Sequence, residues 1–213
     1  MRKLIVAEFI SLDGVIQAPG GPEEDPSGEF RLGGWQVPYA DEAIGQAMQE
    51  LFSQPLELLL GRRTYDIFAA YWPRVRADAP NHAIADLFNS VPKHVATHRS
   101  DTLDWQNSHA LEGGLADAIR ALQHQDGGNL LTHGSGDMVR QLLAAGLVDE
   151  LWLLIYPVVL GRGKHVFGDN AQPSRPSPWR TRPARLAVCC SPAMCAVARC
   201  APGRSKKLSR KSQ

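Results

Sequence analysis

The sequence predicts a single α/β domain with a mostly parallel central sheet flanked by helices, followed by a basic tail of different composition. Apolar, β-branched runs typical of buried strands alternate with amphipathic helix patterns from residue 3 to residue 155. Strands that alternate with helices are joined by crossovers, and they therefore run mostly parallel. Two glycine-rich turns, each between a predicted strand and a predicted helix, are candidate ligand-binding loops.

Composition divides the chain into a predicted domain, residues 1–172, and a tail, residues 173–213. The domain holds 13 Lys and Arg against 22 Asp and Glu, a net charge of −9. The tail holds 10 Lys and Arg and no acid, a net charge of +10, together with all four cysteines and six prolines. Proline removes backbone donors, and this composition favours disorder.

Two interpretations of the tail stay open. An abrupt change of composition is what a shifted reading frame produces, and codons compatible with residues 177–181 and 186–192 can hide strand-like or acid-containing peptides in a neighbouring frame. The other interpretation is a genuine basic tail with an interaction role, such as weak binding to nucleic acid. Nothing in residues 1–172 predicts a nucleic-acid partner.

The sequence predicts neither a membrane segment nor a metal site. No apolar run approaches the ~20 residues that span a bilayer. Arg2 and Lys3 before an apolar run weakly resemble a signal peptide, but Glu8 interrupts the run and no cleavage site follows. We therefore expect a cytoplasmic protein. The cysteines lack paired Cys-x-x-Cys spacing, and His94 and His98 lie on a predicted strand, so no metal ligands are predicted.

Each predicted element follows from its own pattern. Strands are expected at residues 3–11, 56–60, 93–97, 129–132 and 151–155, with a weaker one near Trp105. Helices are expected at residues 42–52, 64–71, 82–89, 113–124 and 137–145. Asp41 is a candidate N-cap, and Gly146 a candidate residue just beyond a helix end. Residues 18–39, rich in Gly, Pro and acids, predict a long loop of the kind that often forms a lid.

The first glycine turn is Gly61-Arg62-Arg63-Thr64, after the predicted strand 56–60. A glycine at the end of a strand lets the backbone turn and approach a ligand closely. The helix start that follows offers free N–H groups and a partial positive charge, and an arginine can grip phosphate with two parallel hydrogen bonds. We expect this turn to bind phosphate; the alternative is an ordinary corner with two surface arginines.

The second glycine turn is Gly134-Ser135-Gly136-Asp137, after the predicted strand 129–132. It lacks the full dinucleotide fingerprint, because Val139 occupies the position of the third glycine. Ligands of open α/β sheets lie in the crevice outside the carboxyl ends of the strands, so we expect both turns to border one crevice. The alternative is a plain turn in which Asp137 caps the helix.

Several segments, in this order along residues 3–164, resemble one family. The first strand ends in Ser11-Leu12-Asp13-Gly14, and residues 59–65 contain the first glycine turn. The second turn leads through Leu147-Val148-Asp149-Glu150-Leu151 to residues 157–164, Pro-Val-Val-Leu-Gly-Arg-Gly-Lys. Together they resemble the dihydrofolate-reductase-like superfamily, and within it the reductase domain of bifunctional riboflavin-biosynthesis deaminase-reductases and its stand-alone bacterial relatives.

The resemblance implies a dihydrofolate-reductase-like domain and an NADPH-dependent reductase that transfers hydride to a small heterocyclic or ribosylamino-pyrimidine substrate. By family position the two glycine turns hold the cofactor phosphates, and Thr97 and Arg99 lie near the adenosine end. Asp13 lies where nicotinamide and substrate should meet and is the candidate catalytic residue; Trp35 is a candidate for stacking on the substrate. The alternatives are that Asp13 is a turn aspartate, that Arg99 is a solvated surface residue and that Trp35 packs in the core.

The sequence departs from its relatives in two ways. Folate reductases carry an acid on the first long helix that grips the pterin, and none of Asp41, Glu42 and Glu50 can be aligned with it. The riboflavin proteins also carry a zinc deaminase domain, but residues 1–172 contain no Cys and no His-x-Glu, so deamination is not encoded there. Dihydrofolate reductase proper and a non-catalytic nucleotide-binding protein stay open. Because sheet edges need cover, a homodimer is expected.

The frameshift interpretation of the tail has a direct check in the coding DNA. We expect the adjacent frame to continue beyond about residue 174 into an acid-containing C-terminus with strand-like alternation. Sequencing that reveals no such frame would exclude the interpretation. Limited proteolysis tests disorder independently, because a tail as resistant to cleavage as the domain contradicts it.

Overall fold

The computed structural model describes residues 1–99, 102–168 and the backbone of residues 186–190. Within these residues seven strands form one sheet in which every strand pair is parallel. The strands are β1 (Leu4–Ser11), β2 (Leu56–Gly61), β3 (Lys93–Ala96), β4 (Ser108–Ala110), β5 (Asn129–Thr132), β6 (Glu150–Tyr156) and β7 (Leu186–Cys190). Their order across the sheet is β4-β3-β2-β5-β1-β6-β7.

Five helices cover the two faces of the sheet, which confirms the predicted α/β class. They are α1 (Glu42–Phe52), α2 (Arg62–Tyr71), α3 (His82–Ser90), α4 (Leu115–Gln123) and α5 (Gly136–Ala144). No helix among the described residues has both the length and the apolar character needed to cross a membrane.

Strand β1 lies inside the sheet between β5 and β6, as its nearly continuous apolar run predicts. Successive side chains of a strand point to opposite faces. Ile5 and Ala7 pack in a cluster with residues of α1, α2 and α3, whereas Leu4 packs with residues of α4 and α5. A strand that fills both cores requires apolar residues at almost every position.

The caps that the sequence predicts are present. Asp41 is the N-cap of α1, and its carboxylate accepts a hydrogen bond of 3.0 Å from the backbone N of Ile44. Gly146 follows α5 with a φ of 65°, the left-handed conformation that glycine adopts without a steric cost. The helix α2 begins at Arg62 rather than Thr64, because Gly61 serves as its extended N-cap.

The expected strand near Trp105 is wrong in position, since β4 comprises Ser108–Ala110. Trp105 is instead buried in the core, and its indole Nε1 donates to Asn89 Oδ1 at 2.8 Å. Its backbone N donates to the hydroxyl of Tyr65 at 2.9 Å rather than to a neighbouring strand. Side-chain packing has therefore displaced the strand a few residues along the chain.

Strand β7 lies within the region predicted as a tail and pairs with β6 from Leu151↔Leu186 to Ile155↔Cys190. The rest of that region, residues 169–185 and 191–213, lies outside the described residues. The domain end at residue 172 and the disorder or frameshift beyond it stay predictions.

The topology places the two glycine turns side by side. Because β5 is inserted between β2 and β1, the carboxyl ends of β2 and β5 are neighbours. The backbone N of Gly61 donates to the carbonyl of Gly134 at 3.2 Å. A Cβ on Gly61 would lie 2.2 Å from Ser135 Oγ and 2.9 Å from Ser135 N. This close approach requires glycine at position 61.

We expect Gly61→Ala to destabilise the protein by about 1–3 kcal/mol, because an added methyl group must displace the Ser135 backbone. The φ of Gly61 is −69°, which alanine also adopts, so the cost reports crowding alone. Urea unfolding measures it. The matched control is Gly45→Ala in α1, where no atom of the described residues lies within 4 Å of the added Cβ. That variant should gain roughly 0.5–1 kcal/mol, and a Gly61→Ala protein as stable as wild type would contradict the crowding.

Candidate functional site

A cleft of about 1810 Å³ opens at the carboxyl ends of the strands. Its volume exceeds the several hundred Å³ that one drug-sized ligand needs. Residues from β1, from the helix starts and from the long loop after β1 line it. The cleft has room for two ligands, a large one and a small one.

The N-termini of α2, α4 and α5 border this cleft. The N-cap residues are Gly61 for α2, Gly114 for α4 and Ser135 for α5, and none caps its helix through a side-chain hydrogen bond. The first turns of a helix carry free N–H groups and a partial positive charge. All three starts line the cleft, so it holds three sites suited to an anion.

All eight residues of the two glycine turns line the cleft, so the structure brings both predicted motifs to one site. Thr132 fixes the second turn, because its Oγ1 donates to Gly134 O at 2.9 Å and accepts from Gly134 N at 3.2 Å. Asp137 does not cap α5; it is exposed and pairs with Arg140, which also donates to His165 O at 2.8 Å. These bonds tie the helix start to the segment around residue 165.

The Arg62 guanidinium uses all three of its nitrogens for hydrogen bonds within the protein. It donates to Asp66 at 2.8 Å and to the carbonyls of Arg99 at 2.8 Å and Thr102 at 3.4 Å. Arg62 therefore braces the segment after β3 against α2. Thr97 lines the cleft in that segment, but Arg99 is not among the lining residues; its mostly exposed guanidinium lies at the edge, 3.6 Å from Asp66.

Arg63 and Lys164 share one carboxylate of the long loop. Arg63 donates to Asp25 at 2.9 Å, and Lys164 pairs with the other oxygen of Asp25. Burial alone would raise the pKa of Asp25, but hydrogen bonds from Lys164 and Ser27 outweigh it and lower that pKa below its usual value. The network fixes the predicted lid, whose residues 17–25 form one wall of the cleft.

Asp13 holds a loop together instead of facing the cleft. Its carboxylate accepts from Ser11 Oγ at 2.6 Å and from the backbone N of Leu160 and Gly161 at 3.1 and 2.7 Å. The Ser11 hydrogen bond is the main cause that lowers the pKa of Asp13 to about 2. Asp13 is therefore ionised at neutral pH and has no proton to donate there; its contacts favour the structural alternative.

Trp35 also lies outside the lining of the cleft. Its ring is buried against Tyr156 with a centroid distance of 5.5 Å, and its Nε1 donates to Gln17 O at 2.8 Å. The Trp35 indole thus makes both its ring contact and its Nε1 hydrogen bond within the fold. These contacts favour the packing alternative and leave the stacking role without structural support.

Glu8 is a lining residue that sequence reasoning did not identify as functional. It lies on β1, is 4% exposed, and its Oε1 has no hydrogen-bond partner among the described residues. The Oε1 atom would lie 3.9 Å from a Cβ built on Gly134, which places it beside the second glycine turn. Burial raises the pKa of Glu8 to about 8, so the carboxyl is mostly protonated at neutral pH. The available signal was an acid inside an apolar strand.

A second unanticipated feature is a group of six rings from β1, α1, α2, α3 and the segments just after α2 and β5, which we call the aromatic compartment. Its members, which all line the cleft, are Phe9, Phe52, Phe68, Trp72, Phe88 and His133. His133 lies among the phenylalanines at centroid distances of 6.1 to 6.5 Å. Burial lowers the pKa of His133 to about 4, which outweighs its hydrogen bond to Ala7 O, and the imidazole is neutral at pH 7.

Helix α1 presents apolar residues, not acids, to the cleft. Ile44, Met48 and Phe52 line it, whereas Asp41, Glu42 and Glu50 do not. The acid by which folate reductases grip a pterin thus has no counterpart on this helix. Among the described residues no three His, Cys, Asp or Glu side chains are grouped to hold a metal ion.

The protonation of Glu8 makes folding stability depend on pH. Its pKa is about 8 in the fold and 4.5 in the unfolded chain, so between these values the folded state binds the extra proton. Stability must then fall as the pH rises from 4.5 through 8. Glu8→Gln lacks this loss, and we expect its Tm to exceed that of wild type by at least about 3 °C at pH 9 but not at pH 5.

Thermal unfolding at several pH values measures the difference, and the His133 contribution cancels because both proteins share it. The control is Glu112→Gln at an exposed position, which should track wild type throughout. A Glu8→Gln difference that stays constant from pH 5 to pH 9 would contradict a buried, protonated Glu8.

Comparison with known proteins found a sequence relative, a solved structure and a family model. The chain is 25% identical over 171 residues to the uncharacterised protein YyaP of Bacillus subtilis (strain 168), covering 80% of this chain and 83% of that protein. A crystal structure from Shewanella sp. PV-4, named for riboflavin biosynthesis, shares 22% identity with a TM-score of 0.48, covering 78% of this chain and 84% of that one. The model of the RibD C-terminal domain matches residues 2–190. The chain therefore belongs to the RibD C-terminal domain family.

Proposed function

We propose that this protein is an NADPH-dependent reductase that transfers hydride to a small planar heterocycle. The observation that carries the proposal is the convergence of three uncapped helix N-termini on a cleft that also contains an aromatic compartment. The first feature suits a ligand with several phosphates, and the second suits a ring that stacks. The family supports a reductase of this type.

The residues of the cleft fit NADPH. Its pyrophosphate and 2′-phosphate need several anion sites in one cleft, and the starts of α2, α4 and α5 provide them. The residues that would hold the cofactor are Gly61 to Thr64, Gly113 to Leu115 and Gly134 to Asp137. The unpaired Oε1 of Glu8, beside the second turn, is a buried polar atom that a bound ligand can satisfy.

The groups near the cofactor have defined tasks. When bound, NADPH supplies the hydride from its nicotinamide ring. Backbone N–H groups of the helix starts bind phosphate oxygens. The wall formed by residues 17–25 shields the site from water. The neutral carboxyl of Glu8 adds no negative charge beside the phosphates at pH 7. Arg99 directly follows the lining residues Thr97 and His98, and it is the cation that we expect to meet a 2′-phosphate.

Two other readings of the site are less well supported. The cleft offers dihydrofolate no carboxylate from α1, because the residues of α1 that line the cleft are apolar. A non-catalytic nucleotide-binding protein would need only the part of the cleft formed by the helix starts. That interpretation leaves the aromatic compartment without a role. Oxidation of NADPH on addition of an acceptor separates a reductase from a binding protein.

We expect NADPH to bind more tightly than NADH, and Arg99→Gln to weaken NADPH about tenfold while leaving NADH unchanged. One charge-assisted hydrogen bond to a phosphate accounts for this factor. Titration by nicotinamide fluorescence measures both affinities. The control is Arg76→Gln, whose side chain is 82% exposed and, among the described residues, pairs only with Asp78 in its own loop.

The two cofactors also test the proposal as a whole. Equal affinity for NADPH and NADH, or an equal loss of affinity for both in Arg99→Gln, would contradict a contact between Arg99 and the 2′-phosphate. The absence of binding by either cofactor would overturn the proposed function.

A further inference from the structure

We infer that the aromatic compartment accepts an uncharged, unphosphorylated planar ring bearing an N–H or O–H group that donates to Nε2 of His133. This inference deepens the proposed function and rests on it, because it specifies the acceptor that the reductase would take. It goes against a phosphorylated sugar-linked acceptor, the other class that the family resemblance allows.

The shape of the compartment suits a planar ring. Phe68 and Phe88 lie nearly parallel, with an interplanar angle of 18° and centroids 5.9 Å apart, and Phe9 lies at 13° to the His133 ring. Trp72 packs edge-on to Phe88 at 5.0 Å. Aromatic faces and edges of this kind favour a flat ligand that stacks or inserts against them.

The hydrogen-bonding character of His133 follows from one contact. Its Nδ1 lies 2.8 Å from the carbonyl oxygen of Ala7, and a carbonyl only accepts, so Nδ1 carries the proton. In a neutral imidazole the other nitrogen, Nε2, is then an acceptor. Nε2 has no partner among the described residues, and His133 lines the cleft. A ring that brings an N–H or O–H donor to this position supplies the partner that Nε2 lacks.

A second polar group in the compartment lacks a partner independently of His133. The indole Nε1 of Trp72 is buried and has no acceptor among the described residues. Buried donors in folded proteins are almost always paired, so this one indicates a missing partner. A heterocycle with an N–H beside a carbonyl offers the donor and the acceptor that these two groups lack.

The charges of the cleft exclude a phosphate from the compartment. Among the described residues that line the cleft, the Lys and Arg side chains are Arg62, Arg63, Arg140 and Lys164, and each is already bonded to a carboxylate. They lie on the first glycine turn, on α5 and beside the long loop, whereas the compartment consists of five aromatic rings and a neutral imidazole. A phosphate among these rings would lose its hydration without gaining a partner, which is costly.

The experiment compares four probes on the NADPH-loaded protein at pH 7 by fluorescence quenching. Lumichrome is an uncharged planar ring with N–H groups, and 1,3-dimethyllumichrome is the same ring without them. Riboflavin and its 5′-phosphate, FMN, differ only in the phosphate. We expect lumichrome to bind about tenfold more tightly than its dimethyl analogue, as one hydrogen bond predicts. Riboflavin should bind at least about tenfold more tightly than FMN.

A variant assigns the effect to His133. His133→Phe keeps a ring and removes the acceptor, so lumichrome should lose about tenfold while dimethyllumichrome and NADPH keep their affinities. The comparison of lumichrome with its analogue is made on wild type and holds even if this variant does not fold. Equal binding of the two, FMN binding as tightly as riboflavin, or displacement of lumichrome by NADPH would each overturn the inference. Normal NADPH binding with any of these results leaves the proposed function intact, whereas loss of NADPH binding by wild type overturns the proposed function itself.

Discussion

The close approach of Gly61 to Ser135 is the constraint on which the site depends. It joins the ends of β2 and β5, which are neighbours only because β5 is inserted between strands that precede it in the chain. This contact sets the starts of α2 and α5 side by side, with their free N–H groups directed at one cleft. A side chain at position 61 would separate the two helix starts and with them the pair of anion sites. The geometry of the cleft at the two glycine turns thus depends on the absence of a side chain at position 61.

Burial divides the chemistry of the cleft into two halves. In the half near the glycine turns, cations are present but committed to carboxylates, and the helix starts supply the remaining positive potential. In the aromatic compartment burial removes charge, since His133 is neutral well below pH 7. Glu8 lies beside the second glycine turn and is neutral for the same reason. A site arranged in this way can bind a polyanion and an uncharged ring next to each other without forcing either into the wrong environment.

Local sequence patterns were sufficient for the fold and for the position of the two glycine turns at one cleft, but not for the aromatic compartment. A strand, a glycine turn and a helix start are contiguous in sequence, so both turns could be predicted from short windows. The members of the aromatic compartment are separated by up to 124 residues, between Phe9 and His133, and each looks locally like an ordinary core position. Only the long-range strand order brings them together. Residue type and family position predict Asp13 and Trp35 beside the ligand, whereas their contacts within the fold favour the structural alternatives. Their roles at the site stay predictions.

The net charge of the domain makes the arrangement of these local fields important. Residues 1–172 carry −9, which opposes any phosphate-bearing cofactor at long range. At physiological ionic strength such repulsion is screened beyond about 8 Å, while hydrogen bonds from helix starts act within contact distance. Residues 23–25 of the cleft wall are one source of repulsion, and there Asp25 is offset by Arg63 and Lys164. Arg63 and Lys164 therefore act mainly by offsetting the negative charge of the Asp25 carboxylate. They lower the negative potential at the mouth of the cleft, and the backbone N–H groups are left to bind the anion.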